Sequence, residues 1–224
     1  MILLDVGNVF GSGGEDGRRR AEVTIEAMEL IGYNALNLGE SEFFFGRPFL
    51  EERRERVSFP FLSANLVNPD AGERPYVAYV VEKAGHLRVG IIGLVSPVLY
   101  RGHELVAQGP QSSLEAVLPE VKEEAHLVIV VAQMSYAEAV ELVHNVEGIN
   151  VMVIGDMGES ATEPVEINGA LLVGCAHWGM AVSELQITGN TEGQIVDYQW
   201  ASGILDEQIA DDSQMVELMR RYGE

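Results

Sequence analysis

Six apolar residues in a row, Leu127-Val128-Ile129-Val130-Val131-Ala132, constrain this chain more than any other stretch. A half-wet strand alternates apolar and polar positions. An unbroken run is a strand covered on both faces, the kind found in parallel sheets packed between other layers. Residues 151–154 form a second such run, and residues 136–146 between the two read as a helix. With a helix predicted over 113–124 just before them, the chain shows an α-β-α-β unit there.

The rest fits around that unit. Residues 2–6 read as a short buried strand that enters directly at Met1, which leads us to expect a fragment or a mature piece. Gly11-Ser12-Gly13-Gly14 loops away into a helix from about Asp16 to Ile31. Its face carries Ala21, Ile25 and Met28, widened by Val23, Ala27, Leu30 and Ile31, so the helix is expected to be well buried. Residues 35–38 are a strand that reaches a sharp turn at Gly39. Residues 49–57 carry a charge run that reads as a solvated helix face, and residues 59–66 are a short strand ending at a polar Asn65. Residues 76–83 and 87–94 flank Ala84-Gly85-His86 as a hairpin. Strands at 170–175, 181–188 and 194–200 follow without helices between them, and one amphipathic helix is expected over 207–222. There is no linker, repeat or low-complexity segment. The pattern predicts an α/β chain with two sheets packed face to face, helices outside, and one domain over residues 1–224.

A formal net charge of −21 excludes nucleic-acid backbone and anionic lipid as general partners. It suits divalent cations or basic proteins, and leaves an unidentified protein partner or small ligand as the expectation. Cys175 is the single cysteine, so no disulfide forms within these residues. No apolar run is long enough to span a bilayer, and no basic-then-apolar leader opens the chain.

The reactive motifs are incomplete. Gly11 and Gly13 lack the third glycine of a dinucleotide fingerprint, since residue 16 is Asp16, and no Gly-Lys-Ser/Thr follows. The five histidines, at 86, 103, 126, 144 and 177, show no metal-ligand spacing and read as surface or hydrogen-bonded structural groups. Ser41 and Ser135 lack a nucleophile elbow. Glu40 and Glu42 lie two apart at the end of a strand, where an α/β protein binds its ligands, and read either as a carboxylate pair or as solvated or backbone-capping groups. Cys175 and His177, beside Trp178, are a further candidate site for redox chemistry or partner binding.

Several stretches carry a resemblance. They are Leu4-Asp5-Val6-Gly7-Asn8-Val9-Phe10, Gly32-Tyr33-Asn34-Ala35, Leu38-Gly39 through Glu42-Phe43, Phe59-Pro60-Phe61-Leu62-Ser63-Ala64-Asn65, Val89-Gly90-Ile91-Ile92-Gly93-Leu94, Gly148-Ile149-Asn150-Val151, and Gly174 through Gly179. Together the chain resembles the N-terminal domain of bacterial 5'-nucleotidases and UDP-sugar hydrolases, within the calcineurin-like metallophosphoesterases. The resemblance implies a four-layer α-β-β-α sandwich of two mixed sheets, an exported, periplasmic location and a two-metal phosphoesterase site. It also implies that the family's first strand, with its Asp-x-His ligands, is not among these residues. The family's bridging carboxylate falls at Asn8, and its Gly-Asn-His-Glu turn at Gly39-Glu40-Ser41-Glu42. The Ser-His falls at Ala132-Gln133, and the Gly-His-x-His loop at Gly155-Asp156-Met157-Gly158.

A two-metal centre needs converging imidazole, amide and carboxylate ligands and a bridging group. Asn8, Glu40, Ser41, Glu42, Gln133, Asp156 and Gly158 are therefore expected to be vestiges of such a site, with no cofactor. The expected function is a degenerate, catalytically inactive domain acting as a binding or structural module. Two alternatives stay open. One is a hydrolase with an altered site that holds one divalent cation through Glu40, Glu42 and Asp156, and the other is a role centred on Cys175.

Overall fold

The computed structural model describes residues 1–11, 13–101, 104–156, 163–174 and 180–223, with backbone alone at Asp156. The run that dominated the sequence is the middle of β8 (Leu127–Ser135). It lies between β6 (Leu87–Val95) and β9 (Val151–Asp156), parallel to both. β11 (Ala170–Gly174) continues the parallel set beside β9, and β5 (Tyr79–Ala84) and β10 (Val165–Ile167) close the two edges antiparallel. The resulting six-stranded sheet runs β10-β11-β9-β8-β6-β5.

One face of this sheet is covered by α3 (Pro110–Glu124) and α4 (Tyr136–Asn145). Leu114, Val117 and Val121 of α3 and Ala139, Leu142 and Val143 of α4 pack there against Ile92, Val130 and Met152. The helix α4 starts cleanly because Ser135 and Glu138 form a reciprocal capping box.

The opposite face is covered by a second β layer that comes in two pieces. One is a parallel sheet of β1 (Leu4–Asp5), β2 (Ala35–Asn37) and β3 (Phe61–Leu62). The other is the antiparallel hairpin of β12 (Ala181–Gly189) and β13 (Ile195–Ile204). A short pair, β4 (Leu66–Val67) with β7 (Val106–Ala107), sits beside them. The fourth layer is α1 (Glu15–Ile31) and α2 (Arg47–Arg54), with α5 (Ser213–Tyr222) lying along α1. Ala21, Ile25 and Met28 bury one stripe of α1 against Leu36, Leu38 and Phe49. Gly32 then ends the helix in the left-handed conformation, donating its N–H to the carbonyls of Met28 and Glu29.

The layered α/β architecture is therefore the one the pattern predicted, with local corrections. Leu30 and Ile31 are 44% and 54% exposed, so the stripe of α1 is narrower than its apolar content implies. The strand at 59–66 is two short strands in different sheets. Of the three late strands, the first joins the six-stranded sheet and only the last two form a hairpin. The C-terminal helix begins at Ser213, because the Asp212 side chain caps it by accepting the N–H groups of Gln214 and Met215; Ile209 lies outside it. In the charge run, Arg53 is buried rather than solvated. It pairs with Glu52 at 2.6 Å and Glu22 at 3.6 Å and lies 5.0 Å from the Phe49 ring centroid. Among the described residues no helix is long and apolar enough to cross a membrane.

Candidate functional site

The loops that leave β1 and β2 meet at one end of the sheet. Gly7 takes a positive φ, and a Cβ there would lie 2.6 Å from the Asn37 carbonyl oxygen and 2.8 Å from the Gly39 nitrogen. Gly39 faces back, where a Cβ would collide with the Asn8 side-chain oxygen. Only glycines allow the two loops to approach this closely.

Glu42 fastens them. It opens no channel to solvent and is fully buried. Its Oε2 accepts the backbone N–H of Asn8 at 3.0 Å and of Gly39 at 2.7 Å. Its Oε1 accepts the N–H of Val9 at 2.7 Å and the Ser41 hydroxyl at 3.1 Å. Ser41 Oγ in turn accepts the N–H of Phe10 at 3.2 Å, and the N–H of Ser41 donates to Asn8 Oδ1 at 3.0 Å. Asn8 holds φ +63°, a conformation that asparagine tolerates better than most residues. Burial pushes the Glu42 carboxyl above its ordinary pKa, and the N–H groups of Asn8, Gly39 and Val9 with the Ser41 hydroxyl pull it back. Three backbone N–H groups and the Ser41 hydroxyl thus occupy the hydrogen-bonding positions of this carboxyl.

Asp5 closes the end of β1 beside this cluster. Its Oδ1 accepts the N–H of Gly7 at 2.8 Å. Burial pushes its carboxyl up to about 6, opposed by the Gly7 hydrogen bond and aided by the negative charge of Glu42. In the sequence Asp5 looks like an ordinary strand residue. The available signal was a lone carboxylate ending an apolar strand just before Gly7 and Asn8.

Gln133 approaches from the six-stranded sheet. It is 9% exposed, and its side chain lies over Gly155 of β9, in the space a Cβ there would take. Val6 Cγ2 would be 3.1 Å from the same Cβ, so the ends of β1, β8 and β9 do converge. Asp156 ends β9 opposite Ser135. Glu40 is half-buried on the outer side of its turn. Burial pushes the nearby Tyr100 phenol up to about 12, with the charges of Glu104 and Glu40 adding to it. Gly158, Cys175, His177 and Trp178 lie outside the described residues. Of the histidines, His126 is a structural acceptor, taking the N–H of Arg88 on Nδ1 at 3.0 Å.

Tested against a two-metal centre, Asn8, Ser41 and Glu42 do not fit. Each of the four acceptor positions of Glu42, the Oδ1 of Asn8 and the hydroxyl of Ser41 is already engaged by a protein hydrogen bond. Freeing one for a cation would leave a backbone N–H or the Ser41 hydroxyl without its partner. Among the described residues no group of three or more His, Cys, Asp or Glu side chains is placed to hold a metal ion. What the arrangement does is lock two loops together.

No protein-family model matches the chain. A 5'-nucleotidase of Vibrio vulnificus is 27% identical over 146 residues, which cover 62% of this chain and 26% of that protein. Among solved structures, the sulfate thiohydrolase SoxB of Thermus thermophilus superposes with a TM-score of 0.88 at 18% identity, over 99% of this chain and 42% of that one. The calcineurin-like phosphoesterase YfkN of Bacillus subtilis gives a TM-score of 0.80 at 20% identity, over 99% of this chain and 82% of that one. The chain thus spans about a quarter of the Vibrio enzyme and less than half of the SoxB chain. The chain therefore has the fold of these calcineurin-like phosphoesterases and is similar in sequence, over part of its length, to bacterial 5'-nucleotidases.

Proposed function

We propose that this domain does not hydrolyse phosphate esters and works as a binding or structural module on a metallophosphoesterase scaffold. The observation that carries the reading is the closed hydrogen-bond set of Asn8, Ser41 and Glu42. A phosphoesterase centre needs side chains at these positions with lone pairs available to a cation and its substrate. Here they are spent on neighbouring backbone. Asn8 also lacks the second anionic oxygen that a bridging ligand supplies. The acidic surface favours a basic protein partner or a cationic small ligand over nucleic acid or anionic membrane. An exported, periplasmic home follows from the family resemblance and belongs to the same proposal.

Purified protein supplied with Mn²⁺ or Co²⁺ is expected to leave nucleoside monophosphates and an aryl phosphate uncleaved, and to retain no stoichiometric metal after gel filtration. Turnover that a chelator abolishes would overturn this reading and favour a hydrolase with an altered metal site built on Glu40, Glu42 and Asp156.

A further inference from the structure

Val23, Ala27 and Ile31 of α1 are apolar, yet the fold does not seal them. They stand four residues apart on a stripe beside the one formed by Ala21, Ile25 and Met28. Val23 and Ala27 are half-buried and Ile31 is exposed. A cavity of about 420 Å³ runs along this stripe. Val9, from the loop after β1, and Met219, from α5, also line it. Apolar side chains from three separate parts of the chain thus enclose a space of the size that small-molecule sites have.

One carboxylate lines the same cavity. Asp5 accepts the Gly7 N–H on Oδ1, and among the described residues nothing donates to Oδ2. Burial pushes this carboxyl up to about 6, against the Gly7 hydrogen bond and with the charge of Glu42 adding to it. Among the described residues Asp5 belongs to no ion pair. Arg20, the other charged group on the lining, is exposed and marks the mouth.

This chemistry selects the occupant. An anion would meet Asp5, Glu42 and a net charge of −21. A divalent cation such as calcium needs about six oxygen ligands, and apolar walls supply none. A neutral apolar molecule would cover the Asp5 carboxylate without satisfying it. An ammonium group on an apolar body meets both requirements.

We propose that this cavity binds a small organic ammonium ion, its N–H groups donating to Asp5 Oδ2 and its apolar body lying between the Val23-Ala27-Ile31 stripe and Met219. The inference rests on the reading of the domain as a binding module, and it names the site and the class of ligand.

The test titrates phenethylammonium into the whole chain by calorimetry at neutral pH and physiological salt. Saturable binding at a single site is expected. Phenethyl alcohol, which lacks the charge, and methylammonium, which lacks the apolar body, are each expected to bind at least about tenfold more weakly. Asp5→Asn keeps an acceptor for Gly7 and is expected to weaken binding at least about tenfold. Ala27→Phe fills the cavity from the helix and is expected to abolish binding with circular dichroism unchanged; should it unfold, Asp5→Asn carries the test alone. Four results overturn the proposal. They are no saturable binding, equal binding of the alcohol, equal binding of methylammonium, which is condensation on the acidic surface, and unchanged binding in either folded variant. Phosphatase turnover that a chelator abolishes would sink the binding-module reading, whereas absent amine binding with absent turnover sinks this site alone.

Discussion

Glu42 Oε2 accepts the backbone N–H of Asn8 at 3.0 Å, across 34 residues of chain. This bond, with its three companions on the same carboxylate, turns the end of β2 into a clamp on the loop that follows β1. At the turn where the family resemblance leads one to expect metal ligands, this chain ties its own backbone together.

Glu42→Gln replaces one acceptor oxygen by an amide that can only donate. At the Oε1 position that amide can donate to Ser41 Oγ but faces the Val9 N–H, and at the Oε2 position it faces the N–H groups of Asn8 and Gly39, so a donor is left unpaired either way. The variant is expected to be destabilised by about 2–4 kcal/mol, read as a lowered urea midpoint with an unchanged denaturant slope.

Asn8→Asp restores the carboxylate of the family pattern. Its Oδ1 keeps the Ser41 N–H, but a second charge is brought beside Glu42. The expected result is a loss of about 1 kcal/mol from like-charge repulsion, with no stoichiometric metal by elemental analysis and no phosphatase activity. Gain of both would show that one residue, rather than the whole closed network, suppresses the centre.

Asp5 gives a pH signature. Its carboxyl is raised from 3.8 to about 6 in the folded protein, so the fold prefers the neutral form. The contribution is fully present below pH 3.8 and is lost as pH rises through about 6. Asp5→Asn keeps the acceptor for Gly7 and removes the titration. Above pH 6 the variant is expected to be the more stable, by at most about 3 kcal/mol, and the difference is expected to vanish near pH 4. Thermal melts across that range check the sign.

Gly7→Ala combines a positive φ with a Cβ pressed onto the Asn37 carbonyl and the Gly39 nitrogen, both backbone atoms that cannot move aside. A loss of about 3 kcal/mol or more is expected. Gly11→Ala, also at positive φ but in open space, is expected to cost about 1 kcal/mol. The contrast isolates the close approach from the backbone strain.

The sequence by itself determined the layers. The apolar runs of β8 and β9, the Gly85 hairpin and the Ala21-Ile25-Met28 stripe are local periodicities, and burial follows from them wherever the chain folds. The family resemblance, read from the same sequence, leads one to expect replaced ligand positions at Asn8, Ser41 and Gln133. Only the tertiary structure decided what Glu42 is. The same two glutamates read as a carboxylate pair, a solvated pair or backbone caps, and the choice rests on N–H groups from Asn8 and Val9, which come from the loop after β1. It also decided that the second β layer comes in two pieces, because strand edges are set by pairing partners distant in the chain and leave no periodic trace.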